Sequence, residues 1–363
     1  MRRFIEYIKS CKINGGFIAS PIYKPYRRVW LRDHSFITFA LMQAGENILQ
    51  EIYWIKKILT KEAEKVKNLI EKPDNALKLL DQDKHPRARY TPYFEEINEP
   101  WSERQYDGIA LAYGTLIYYE NLTRNHSLDE DTKKLYDSYF ERFYNTPCAD
   151  LWEMHEDFIH AETLGAIYWA IAQRAKQISN NSRYKERVMS LKEKVRSLLL
   201  SFEKNGVIYK MKKTPTEEAT GIDASVILIF TFFEVLKDLD LLQSTLQEIY
   251  YYLSPDGLGL RRFKIGDEVD TYFGGGIWYI LNYWAAEAFH LLGETEKVKK
   301  LLEYRFRFPI PEQIVEDKIL FSKEHKNYWI LKSKKENNGI PGPADPLTWS
   351  NSEFLRVFLK VKI

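Results

Sequence analysis

Residues 150–163 read DLWEMHEDFIHAET, where Asp150, Glu153, His155, Glu156, Asp157 and His160 crowd around Trp152. Much further along, FPIPEQ (308–313) holds Glu312 in a loop stiffened by two prolines. Two carboxylates far apart in sequence but on one rim suit hydrolysis of a glycosidic bond. One must be protonated to donate to the leaving oxygen; the other must be ionised to activate a water or attack carbon. An apolar neighbour raises the pKa of a carboxyl. Glu153 beside Trp152 is therefore the better acid candidate, and Glu312 beside Gln313 the base. Each also has a plain structural reading, Glu153 as a helix cap and Glu312 as part of an ordinary turn.

Other chemistries are poorly served. There is no HExxH, no GxSxG and no GxxxxGK[ST]. The seven histidines, at 34, 85, 126, 155, 160, 290 and 325, make no compelling ligand set, and His155 and His160 stand five apart, a poor spacing for one helical face. Neither Cys11 nor Cys148 has a neighbouring histidine. No metal or other cofactor is expected, nor an acyl-enzyme mechanism.

Four more polar clusters precede apolar runs. Tyr26 to Asp33 (YRRVWLRD) contains Trp30 and an Arg32–Asp33 pair able to grip sugar hydroxyls through forked hydrogen bonds. Trp101 to Gly108 contains Asp107. Arg262-Phe263 is followed by Gly274, Gly275, Gly276 and Trp278; the glycines suit either an anion cradle of backbone N–H groups or tight packing. Pro346 to Ser350 (PLTWS) ends the series. As structural residues, Asp33, Asp107 and Thr348 or Ser350 would be N-caps.

These clusters need elements to carry them. Six segments, starting after Asp33, Asp107, the Trp152/Glu153 cluster, Asp223, the glycines and Trp349-Ser350, are apolar nearly all round, as buried helices are. Between them lie amphipathic segments at 1–10, 46–72, 130–144, 183–204, 240–252 and 295–305, with apolar residues at helical spacing among Lys and Glu. The marks Asp33, Asp107, Ala161, Asp223, Gly276 and Trp349 are 74, 54, 62, 53 and 73 residues apart, enough each time for two helices and two loops. The simplest closed solution is an all-α (α/α)6 barrel of six inner and six outer helices. Its inner helices run one way, so their N-termini, with free N–H groups and positive dipole ends, gather at one mouth and form a deep polar pocket there. Strand is expected only at 206–211 and 314–332. No linker divides the chain, which reads as a single domain over 1–363.

The bulk numbers agree. Lys+Arg is 53 and Asp+Glu 51, without the basic excess of a nucleic-acid binder. The start, MRRFIEYIKSCKINGG, has no continuous apolar run of the secretory kind. The longest apolar run, 222–236, is too short to span a bilayer and contains Asp223 and Glu234. A soluble, cytoplasmic protein with no membrane partner is expected. The 24 Tyr, 20 Phe and 9 Trp fit a large helical core, with some rings left to stack on sugar faces.

Taken in order, the motifs resemble glycoside hydrolase family 15, the glucoamylase, glucodextranase and trehalase type, from about Tyr26 to Phe358. The matches are W-x-RD at Trp30, Arg32 and Asp33; Trp101 with Q-x-DG at Gln105, Asp107 and Gly108; DLWE at Asp150 to Glu153; an echo of LDAS at Ile222 to Ser225; Arg262, Phe263, Gly275 and Trp278; PEQ at Pro311 to Gln313; and PLTWS-x-x-EFLR at Pro346 to Arg356. The resemblance implies an (α/α)6 barrel and inversion at the anomeric carbon of a terminal α-glucose. It places the general acid on Glu153, the general base on Glu312, the glucose-binding pair on Arg32 and Asp33, and a second arginine on Arg262. It places pocket tryptophans on Trp30, Trp101, Trp152 and Trp278, and a tyrosine near the attacking water on Tyr26. Asp107 and Gln313 join the substrate-binding set. Inversion implies carboxyl groups roughly 6.5–9.5 Å apart. Three departures stand out. Met154 follows the acid where a polar residue is usual, bearing on the leaving sugar. Asn351 stands where His is usual, with only a packing change expected. No counterpart is expected for the N-terminal β-sandwich domain that many prokaryotic relatives carry. The expected substrate is an α-gluco-oligosaccharide or disaccharide. Trehalose hydrolysis and a non-catalytic glucan-sensing role are the alternatives.

Overall fold

A run of apolar residues with good helix propensity can only be buried all round if other helices surround it, and this sequence has several such runs. The computed structural model describes residues 1–71, 85–180, 182–314 and 344–362. Along it run α1 (Arg2–Ser10), α2 (Leu31–Gln43), α3 (Leu49–Glu71), α4 (Tyr106–Thr123), α5 (Glu130–Phe143), α6 (Ala161–Ala175), α7 (Arg183–Leu200), α8 (Leu239–Leu253), α9 (Tyr279–Leu291), α10 (Thr295–Leu302) and α11 (Thr348–Val361). The inner ring closes: α2 packs on α4, α4 on α6, α6 on the segment 224–229, that segment on α9, α9 on α11, and α11 back on α2. Outside it, α1 lies on α11, α3 on α4 and α5, α7 on α6, and α10 on α9. This is the (α/α)6 barrel.

The two sets differ as their patterns require. Every residue of α2 from Leu31 to Leu41 is buried. The outer α7 buries only Val188, Leu191, Val195 and Leu199, one stripe at helical spacing. Inner helices also approach closely: a Cβ on Gly114 of α4 would lie 2.4 Å from the Trp169 ring of α6.

Three expectations are corrected. The fourth inner segment is not an α-helix. Ala224–Ile229 forms a 3-10 helix, and the N–H groups of Phe233 and Val235 reach back to Leu228 and Ile229. The run VILIFTFF is rich in β-branched and aromatic residues, which lose side-chain freedom in an α-helix, and the Thr231 hydroxyl donates to the Ile227 carbonyl.

Secondly, the candidate caps are not caps. Asp33 and Asp107 lie inside the first turns of α2 and α4, whose N-cap residues are Trp30 and Gln105. Thr348 and Ser350 lie inside α11, which starts after Leu347. The inner α-helices have no side-chain cap. The outer α5, α7 and α8 are capped by Asp129, Ser182 and Asp238.

Thirdly, strand is more widespread than expected, in pieces of two or three residues. Val29–Trp30 pairs with Arg89–Tyr90, Ile159–His160 with Met211–Lys212, Ile222–Asp223 with Phe263–Ile265, and Ile277–Trp278 with Gln313–Ile314. Each pair laces the approach to an inner segment to a neighbouring loop. Val207–Ile208, within the expected 206–211, pairs with Glu203–Lys204. Residues 315–332 of the other expected stretch lie outside the described residues.

Among the described residues, no helix is long and apolar enough to cross a membrane.

Candidate active site

The approaches to the inner helices surround one cavity of about 920 Å³. The stretches before α2, α4, α6, α9 and α11 all contribute to its wall, as inner helices running one way require. Tyr26, Trp30, Arg32, Asp33, Trp101, Trp152, Glu153, Arg262, Trp278 and Glu312 line it. Asp107 and Gln313 do not; they stand behind the wall and hold residues that do. Met154 lines the cavity too.

Glu153 is not a cap, since α6 begins eight residues later. It sits in a tight turn, with its N–H donating to the Asp150 carbonyl and its φ at +65°. That backbone region is unfavourable for a residue with a side chain and is a mark of functional sites. The surroundings of its carboxyl differ from those expected. Trp152 turns its indole N–H to both oxygens of Asp223, at 2.9 and 3.1 Å. The Glu153 carboxyl instead receives the Trp30 indole N–H at 2.7 Å and the Gln105 amide at 3.0 Å, with Arg32 at 4.0 Å.

Glu312 is buried and meets a different set of donors. The Tyr26 hydroxyl lies 3.2 Å from one oxygen; the Tyr272 hydroxyl and the Ala344 N–H lie 3.4 and 3.2 Å from the other. The two tyrosine hydroxyls are 2.6 Å apart. Burial pushes the Glu312 carboxyl up to about 7, against the pull of the Ala344 N–H, Arg262 and the two hydroxyls. Burial and the nearby Glu312 charge hold both tyrosines well above their ordinary value, so they stay protonated donors. The Trp30 and Tyr26 rings, 5.3 Å apart, stand between the two carboxyls, each bonded to one of them.

The arginines are fixed from behind. Arg32 does not pair with its sequence neighbour Asp33; it donates to Asp107 and to Gln105, both at 2.5 Å. Asp33 is left on the cavity wall, where burial pushes its carboxyl up to about 8 despite Arg32. Arg262 makes a two-pronged pair with Asp270 at 2.7 and 2.5 Å, and its guanidinium lies 4.8 Å over the Trp278 ring and 5.3 Å over that of Trp152. Arg89 lies 3.9 Å over Trp101. Gln313 accepts from the Gly276 N–H and donates to the Tyr272 carbonyl. The N–H groups of Gly274 and Gly275 are likewise spent on the turn, at Thr271 and Tyr272. The glycines pack the rim and cradle no anion. Asn351 does more than pack: its amide bonds the Ile310 backbone in both directions, at 3.0 and 2.9 Å, two residues before Glu312.

Sequence reasoning assigned no role to Asp270, Tyr272 or Lys210. Tyr272 could have been flagged, since it opens the glycine motif. Asp270 and Lys210 stand in no motif, and only the folded loops reveal them. Among the described residues, no group of three His, Cys, Asp or Glu side chains is placed to hold a metal ion.

Comparison with known proteins accords with this geometry. An isomaltose glucohydrolase of Kribbella flavida is 24% identical over 278 residues, covering 74% of this chain and 69% of the relative. An uncharacterized glycosyl hydrolase of Methanocaldococcus jannaschii is 24% identical over 98% of this chain, which spans only 54% of that relative. A solved glycosidase variant in complex with glucose superposes with a TM-score of 0.81 at 21% identity, covering 99% of this chain and 95% of its own. The glucoamylase of Saccharomycopsis fibuligera does so at 0.61 and 16%, covering 99% and 94%; both share the fold. The sequence profile of glycosyl hydrolases family 15 matches residues 8–359. With that match spanning nearly the whole barrel and every segment that lines the cavity, the chain belongs to glycosyl hydrolase family 15 and is a glycoside hydrolase.

Proposed function

We propose that the chain releases β-glucose, with inversion, from the non-reducing ends of α-gluco-disaccharides and short oligosaccharides, with Glu153 as general acid and Glu312 as general base. The observation that carries this is two carboxyls on one cavity wall, each held by an aromatic of the Trp30–Tyr26 pair but with different donors around them. Glu312 lies among hydroxyls able to hold a water. Glu153 is half-buried beside Met154 and Ser102, where a leaving sugar has room to depart. Burial raises Glu312, so the roles rest on the placement of the two carboxyls and on the family's motif.

In the reaction, the Glu153 carboxyl gives its proton to the glycosidic oxygen as the bond from that oxygen to the anomeric carbon breaks. A water attacks that carbon from the opposite face, and Glu312 takes the water's proton. Glucose leaves in the β form, and solvent returns both carboxyls to their starting states. This requires carboxyls roughly 6.5–9.5 Å apart. Asp33, Arg32 and Arg262 bind hydroxyls of the terminal glucose, and the tryptophans flank its ring. The isomaltose glucohydrolase among the relatives makes the α-1,6 linkage the first to test.

The test is proton NMR of the anomeric signals with isomaltose, maltose and trehalose in parallel. β-Glucose appearing first is expected. α-Glucose alone appearing first from isomaltose or maltose would overturn the inverting assignment. Turnover of trehalose alone would make the chain a trehalase. Glucose binding without turnover of any sugar would make it a sensor.

A further inference from the structure

The turn that bears Glu153 is strained and tightly held. Glu153 and His155, two residues with side chains, both have left-handed backbone, at φ +65° and +54°. Such a turn persists only where its surroundings over-determine it. Asp150 supplies part of that hold: one of its oxygens accepts the N–H groups of Trp152 and Met154, both at 2.9 Å, on either side of Glu153. The other accepts from Lys210 Nζ at 2.6 Å and meets His155 Nδ1 at 3.0 Å. The same ammonium is hydrogen-bonded to Asp223, whose two oxygens receive the Trp152 indole N–H.

Lys210 is itself immobile. Its side chain is 3% exposed. Its N–H donates to Gly221, and its carbonyl accepts from Ala161, the first residue of α6. Burial alone would strip its charge, but Asp150 and Asp223 hold its pKa above the ordinary range. Burial would likewise raise Asp150, but Lys210 and His155 override it and hold that carboxylate ionised.

We propose that Lys210 is a positioning residue for the candidate acid: one buried ammonium ties together Asp150, which holds the backbone around Glu153, and Asp223, which holds the Trp152 ring. It touches no substrate and acts through these two carboxylates. The inference rests on Glu153 being the general acid.

A glycosyl fluoride separates this role from general support of the fold, because fluoride departs with little help from an acid whereas a sugar alkoxide does not. Lys210→Met, Lys210→Arg, Asp223→Asn and Glu153→Gln would be assayed on α-glucosyl fluoride and on whichever of isomaltose, maltose and trehalose is turned over fastest. Lys210→Met is expected to lose roughly 100-fold in kcat on the disaccharide, the low end of what a positioned acid contributes, and about 3-fold or less on the fluoride. Lys210→Arg, which keeps the charge, is expected to recover most of the loss. Equal losses on both substrates, or no loss on the disaccharide, would overturn the proposal. If Lys210→Met does not fold, Asp223→Asn decides in its place: it keeps an oxygen for the Trp152 indole but removes the partner charge, and the same selective loss is expected. Glu153→Gln separates the two readings. A selective loss there, with none in the Lys210 and Asp223 variants, sinks only this inference. Equal losses on both substrates in Glu153→Gln sink the acid assignment itself.

Discussion

Two buried carboxyls of this site, Glu312 and Asp33, are held near neutral pH. As the proposed general base, Glu312 must be ionised, and burial holds its carboxyl at about 7. A limb near pH 7 is therefore expected in the pH profile of kcat/KM on the disaccharide. The Tyr272 hydroxyl favours the ionised form, so Tyr272→Phe should move that limb to higher pH. A limb that stays put would show that the hydroxyl does not engage the carboxylate. The folded state binds a proton at Glu312 more tightly than the unfolded chain does, so stability falls as pH rises from about 4.5 to about 7. Glu312→Gln removes this penalty and is expected to stabilise the protein at pH 8, by on the order of 3 kcal/mol at most, in chemical denaturation. Both candidate carboxyls were legible in the sequence, because each sits in a motif with an aromatic or stiffening neighbour. Their partners were not. Trp152 adjoins Glu153 in the chain yet turns its indole to Asp223, and Arg32 bypasses Asp33 for Asp107. Adjacent side chains on a short strand or turn face different ways, so chain neighbours are poor guides to contacts.

At the scale of elements, the strand pairing of Ile277–Trp278 with Gln313–Ile314 brings the glycine motif against the residue after Glu312. A Cβ on Gly276 would lie 2.3 Å from the Ile314 carbonyl oxygen and 2.7 Å from the Gln313 side-chain oxygen. Gly276→Ala is expected to cost about 1–3 kcal/mol and to lower kcat along with stability, since it moves the strand that directly follows Glu312. Wild-type activity with unchanged melting would refute this. The outer helices were legible because one apolar stripe repeats every three or four residues. Apart from Val207–Ile208, the short strands were not, because two or three residues have no periodicity to read. Nor was the uncapped start of the inner helices. Trp30 and Trp278 occupy N-cap positions where sequence statistics favour Ser, Thr, Asp or Asn. Each sits there because its ring lines the cavity.

At the scale of the whole molecule, α11 closes the ring. Its Thr348 bonds the Ala19 and Ile18 backbone near the other end of the chain, at 2.8 Å each. Further along it, Arg356 pairs with Glu353 at 2.9–3.0 Å and with Glu287 of α9 at 2.7 Å; Lys360 also reaches Glu287, and the Trp284 indole reaches Glu353. Arg356→Met would leave two carboxylates buried in the barrel without their arginine. A loss of about 3–5 kcal/mol is expected in chemical denaturation. If the chain is one domain over 1–363, the wild type should unfold in a single transition by fluorescence and by circular dichroism. Two separated transitions would divide it.

By itself the sequence determined the helical class, the alternation of buried and half-buried helices, the six-fold count and most of the expected residues of the polar rim. All of these follow from local periodicity and from motifs a few residues long. Only the tertiary structure decided which donors surround each carboxyl, that Asp107 and Gln313 stand behind the wall, that the fourth inner segment is not an α-helix, that Asp270 fixes Arg262, and that Lys210 bridges Asp150 and Asp223. Those outcomes depend on side chains brought together across the ring, such as Trp30 and Glu153, 123 residues apart, or Tyr26 and Glu312, 286 apart. No local pattern records a contact made only when the barrel closes.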